Sequence, residues 1–79
     1  MEQQQLVKRF EKDSEWFYKN VDKLRKLGFS EQFFAIKNAQ PIASEKSIEV
    51  VIRKLDKNKE DPSFIFIEFV HPDGYVLLL

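Results

Sequence analysis

The stretch Phe64-Ile65-Phe66-Ile67-Glu68-Phe69-Val70-His71 carries the only histidine of the chain and one acid inside an apolar run, and Asp73 follows two residues later. A histidine oriented by a carboxylate is the smallest general-base unit. A carboxylate in apolar surroundings is the usual form of a tuned acid. Neither unit is completed here. No His-x-x-His or similar spacing offers several ligands to a metal, and the absence of cysteine removes thiolate sites and disulfides. Glu15, Asp22 and Glu49 fall on outward helical phases and give Glu68 no second carboxylate. There is no glycine-rich phosphate loop, no Ser-His-Asp order and no lipidation motif. We therefore expect no enzyme, no catalytic residue, no cofactor and no metal. On this reading His71 flanks a turn, and Glu68 either pairs across a sheet, with Lys37 or another cation, or is solvated.

Aromatic and basic residues suggest binding chemistry instead. Phe64 and Phe66 stand at i and i+2, the spacing at which RNA-binding sheets stack bases. That mechanism also needs cations around the rings. Lys+Arg and Asp+Glu both number 13, so the net charge is zero and no long-range field draws nucleic acid or anionic lipid. Lys19, Lys23 and Lys26 share one helical face, with Arg25 beside them. Trp16 lies off the main apolar stripe. It either braces the helix or, if exposed, anchors a partner.

The elements that must position these residues follow from periodicity. No glycine or proline interrupts residues 2–27, and Leu6, Phe10, Phe17, Val21 and Leu24 recur on one helical face. Asp13-Ser14 reads as an N-cap, which predicts a main helix over 14–27, with residues 1–12 as an extension or a frayed segment. Gly28 and Phe29 fit the C′ and C″ positions of a Schellman motif, with Phe29 touching Leu24. Residues 32–37 read as a strand, Asn38-Ala39-Gln40 as a turn, and Pro41–Ser44 as a short edge strand. Ser44 or Ser47 caps a second helix, whose Ile48, Val51, Ile52 and Leu55 form one face. Asp56–Pro62 is a solvated loop, Ser63–His71 a third strand, Pro72-Asp73-Gly74 a turn, and Tyr75–Leu79 a fourth strand.

Ser14-Glu15-Trp16-Phe17, Phe34-Ala35-Ile36-Lys37, Ile42-Ala43-Ser44 and Phe66-Ile67-Glu68-Phe69-Val70, taken in that order, resemble a family of small, mostly archaeal domains of unknown function. The resemblance spans roughly residues 14–72 and implies an α+β fold with no known activity. Two departures matter. Asn38-Ala39 stands where the family has Asp-Gly or similar, and Ala resists positive φ. Pro41 stands where the family has an aliphatic residue. Together they predict a looser loop and a poorly paired second strand.

The fold expected is a single α+β domain over residues 1–79, in α-β-β-α-β-β order. A mainly antiparallel four-stranded sheet of order 2-1-3-4 would carry both helices on one face. Along the third strand Phe64, Phe66, Glu68 and Val70 point one way, and Ile65, Ile67, Phe69 and His71 the other. An unpaired carboxylate is costly to bury, so the Glu68 face is read as the wet one. That leaves Phe64 and Phe66 on a bare sheet face beside an uncharged edge strand. The expected interface is Phe64, Phe66, Tyr75, Leu77 and Leu79, serving a protein partner or a homodimer. Nucleic acid bound by the sheet aromatics and helix lysines is the alternative. No apolar run reaches the roughly 20 residues of a membrane span, and the start lacks an apolar signal core, so a cytoplasmic protein with no membrane partner and no evident small-molecule substrate is expected.

Overall fold

A computed structural model describes residues 2–72. The elements in chain order are α1 (Glu2–Lys26), β1 (Phe33–Lys37), β2 (Gln40–Glu45), α2 (Ile48–Lys57), a 3₁₀ turn at Pro62–Phe64, and β3 (Phe66–Phe69). Among the described residues no helix is long and apolar enough to cross a membrane.

α1 is one helix of 25 residues. At about 1.5 Å per residue it accounts for the long dimension of 40 Å. Residues 2–12 are therefore a helical extension, and Asp13 is not an N-cap. Its carboxylate is turned away from its own helix. It is fully buried, and its Oδ1 accepts the Ala39 amide at 2.7 Å. The C-terminal end follows expectation. The Phe29 amide donates to Leu24 O at 3.0 Å and the Gly28 amide to Arg25 O at 3.1 Å, the two bonds of a Schellman motif. Gly28 has φ +92° and Phe29 packs against the cluster that contains Leu24.

The β1–β2 turn corrects the expectation of a loose loop. Lys37 pairs with Gln40, so the loop is only Asn38-Ala39, and both residues have positive φ, at 53° and 56°. This is the primed geometry that suits the right-handed twist of a hairpin. Ala tolerates it because the Asp13 carboxylate holds its amide. β2 also pairs better than expected: Pro41 lies opposite Ile36, Ala43 opposite Ala35, and the extra residue Ile42 is absorbed as a bulge.

The sheet of the described residues has three strands, all pairs antiparallel, in the order β2-β1-β3. The fourth strand expected at Tyr75–Leu79 falls outside the described residues, and the order 2-1-3-4 is not seen. The third strand is shorter than expected, because Asp61 caps the Pro62–Phe64 turn through its Oδ1 and the Ser63 amide, at 2.9 Å.

The helices do not share a face. Phe34, Ile36, Phe66 and Val70 pack with Phe17 and Leu24 of α1. Ala35, Ile65, Ile67 and Ala43 pack with Val51 and Leu55 of α2. Side chains alternate along a strand, so these are opposite sides of one sheet, and the domain has three layers. The reason lies in β1. It is central and apolar on both faces, so one helix cannot cover it. α2 begins after Ser47, whose side chain makes no capping bond. It ends in a second Schellman pair, Glu60 amide to Leu55 O and Lys59 amide to Asp56 O, with Lys59 at φ 61°.

Two substitutions test the turn. Asp13→Ala removes the side-chain acceptor of the Ala39 amide and should lower unfolding free energy in urea by about 1–3 kcal/mol, with Asp13→Asn losing less. Ala39→Gly should raise it by roughly 0.5–1 kcal/mol, since relief of left-handed strain exceeds the added entropy of the unfolded chain.

Candidate functional site

Phe17 and Leu24 point from α1 into the sheet, so residues one helical phase to either side line two clefts along its flanks. The β3 flank brings Tyr18, Val21 and Arg25 together with Glu68, Phe69 and His71 around about 290 Å³. The β2 flank brings Trp16, Asn20, Lys23 and Leu27 together with Phe29, Phe34 and Pro41–Ser44 around about 470 Å³.

The β3 flank holds the residues that looked chemical in sequence. The Tyr18 hydroxyl donates to Glu68 Oε2 at 3.2 Å, and Glu68 Oε1 accepts the Phe69 amide at 3.0 Å. Burial first, then the Glu68 charge and the hydrogen bond to it, push the Tyr18 phenol above its ordinary value. A phenol kept protonated beside a carboxylate is a hydrogen-bond donor and not a nucleophile. The His71 ring meets Phe69 edge-on at 5.0 Å, and its carbonyl accepts Arg25 Nε at 2.8 Å. Arg25 also pairs with Asp22 at 2.6 Å. These contacts fasten the exit of β3 to the last turns of α1. Lys37 does not reach Glu68. It points to the other face and pairs with Glu60 at 2.9 Å.

The expected interface residues divide. Phe64 is half exposed in the 3₁₀ turn, where its carbonyl accepts a hydrogen bond from Arg9. Phe66 lies under α1, its ring 6.1 Å from that of Phe17. The two rings therefore form no shared platform, and the sheet face that was expected to be bare is covered by α1. Tyr75, Leu77, Leu79 and the turn residue Asp73 lie outside the described residues.

The β2 flank was not anticipated. Its wall is mainly apolar, and it includes two exposed aliphatics, Leu27 at 62% and Ile42 at 38%. Trp16 packs against the core with part of its surface in the cleft, so it braces and lines at once. One signal was present: Trp16, Asn20, Lys23 and Leu27 recur at helical spacing beside the core stripe. The other wall depends on β2 lying alongside, which no local pattern shows.

Among the described residues no group of three or more His, Cys, Asp or Glu side chains is gathered as a metal site. Comparison with protein-family models, with curated proteins and with solved structures returned no match.

The Tyr18–Glu68 contact has a titration consequence. A raised folded-state value means that its stabilisation is fully present below the ordinary phenol value of 10.0 and is lost as pH climbs through the raised one. Glu68→Gln should lower the Tyr18 value without returning it fully to the ordinary one, because burial is the first cause. Ultraviolet titration, with Tyr18→Phe subtracted to isolate this ring, checks it. An unmoved Tyr18 value would remove Glu68 from the account.

Proposed function

We propose that this protein is a non-catalytic interaction module that binds a protein partner or a second copy of itself. The supporting observation is the α1–β2 cleft: about 470 Å³, walled by Trp16, Leu27, Phe29 and Ile42, and bordered by the side of β2 that no strand pairs with among the described residues. Monomeric proteins keep few contiguous exposed apolar patches, and such patches commonly serve as interaction sites. The lack of catalytic character is supported by the β3 flank, where the acid and the phenol are committed to each other.

A second reading has its own observation. Lys19, Lys23 and Lys26 run beside Trp16, and a basic stripe next to an aromatic suits a single-stranded nucleic acid. Zero net charge counts against it. A mobility shift at low and high salt separates the two, because phosphate contacts release counterions and weaken steeply with salt.

Selection from a random peptide library, with sedimentation of the protein alone, tests the main reading. The expected result is either a mass above the 9.4 kDa monomer or selected peptides that bind, with Leu27→Glu abolishing the effect. A strict monomer that selects no peptide would overturn it.

A further inference from the structure

We infer that the α1–β2 cleft takes an extended acidic peptide with an apolar anchor, added as a short strand to the outer edge of β2. This rests on the interaction reading above and names its partner chemistry. Three observations meet at this place.

The first is the strand edge. Among the described residues no strand pairs with β2 on the side away from β1. In an antiparallel ladder the backbone groups that face the neighbour alternate with those that face outward, so this edge offers groups to another chain. Pro41 withholds an amide, and the bulge at Ile42 interrupts the ladder. The usable edge is therefore Ala43–Glu45, which suits a short pairing.

The second is the apolar wall. A strand laid beside Ala43–Glu45 directs every second side chain toward α1. There Trp16, Leu27, Phe29 and Ile42 form a recess for one large aliphatic or aromatic side chain. Leu27 and Ile42 are the exposed aliphatics that such an anchor would cover.

The third is charge. Between residues 15 and 26 there are four basic and two acidic residues, in a chain whose net charge is zero. Arg25 and Asp22 pair with each other. Lys19, Lys23 and Lys26 make no ion pair among the described residues. Lys23 lines the cleft itself, with Lys19 and Lys26 a turn away on either side. A carboxylate on the bound strand meets this stripe, and a cationic strand is repelled by it. The backbone edge selects a polypeptide over a nucleic acid, which has no amide ladder to offer.

The test uses a fluorescein-labelled peptide of alternating Leu and Glu, about six residues long to match a typical strand, and its counterpart with Lys in place of Glu. The acidic peptide should bind about tenfold or more tightly than the basic one, and Lys23→Glu should erase most of that difference. In amide correlation spectra the largest shifts should fall at Ala43, Ser44 and Glu45, with the Trp16 indole moving as well. Equal binding of the two peptides, an unaffected Lys23→Glu protein, or shifts centred away from Ala43–Glu45 would each overturn the proposal. So would an oligouridylate that displaces the acidic peptide while shifting the same amides. If library peptides bind the cleft but are neither acidic nor extended on β2, this inference fails and the broader interaction reading survives. A strict monomer that binds no peptide ends both. Lys23 is exposed, so its substitution leaves the core intact, and circular dichroism checks that the fold is kept.

Discussion

The hydrogen bond from the Ala39 amide to the buried Asp13 carboxylate links the middle of α1 to the tip of the β1–β2 hairpin. Its position sets how far along the sheet the helix lies. With Asp13 at the turn, Phe17 and Leu24 fall over Phe34, Ile36 and Val70 and close one core. The adjacent phases then fall along the two flanks, Tyr18 and Arg25 beside β3, Trp16, Lys23 and Leu27 beside β2. Sliding the helix by one turn would leave the amide without its partner and move every large side chain out of its recess. Arg9 adds a second tie, to the carbonyl of Phe64 at the entrance to β3.

The same contact explains a turn that local preference disfavours. Two consecutive non-glycine residues with positive φ carry strain, and a two-residue hairpin loop usually answers it with Asn-Gly or Asp-Gly. Here Asn38 supplies the first position by its own tolerance. Ala39 is held by a hydrogen bond from a helix 26 residues away in sequence. The hairpin is tight because of a tertiary contact, and the bulge at Ile42 then lets β2 follow β1 past Pro41.

Charge and burial also interact on the β3 side. Glu68 sits on the helix-covered face of β3, where a long side chain reaches the rim and finds the Tyr18 hydroxyl. A carboxylate inside an apolar run therefore did not mark a wet face. It marked the margin of a covered one. Lys37 belongs to the other face, which is why its ion pair is with Glu60.

Several features were legible from residues alone, and each is decided within a few positions. Gly28 followed by Phe29 predicts the Schellman end of α1, since its two bonds span only six and four residues. The 3.6-residue stripes of α1 and α2 and the β-rich run at 33–37 identify those elements for the same reason. The unbroken apolar run Phe33–Ile36 is also the pattern of a strand buried on both sides, as a central strand is, whereas the isolated Glu68 suggests a wet face that the structure does not have. What the sequence could not settle depends on contacts between distant segments. Asp13 looks like a helix cap until Ala39 stands beside it, because a short acid serves any unpaired amide within reach. Phe66 looks like a binding residue until α1 covers it. The α1–β2 cleft has one wall written as a helical stripe and the other supplied by a strand whose position only the packed sheet determines. Short-range hydrogen bonding and side-chain periodicity set the elements. Which faces meet, and which surfaces remain open, is set by burial across the whole chain.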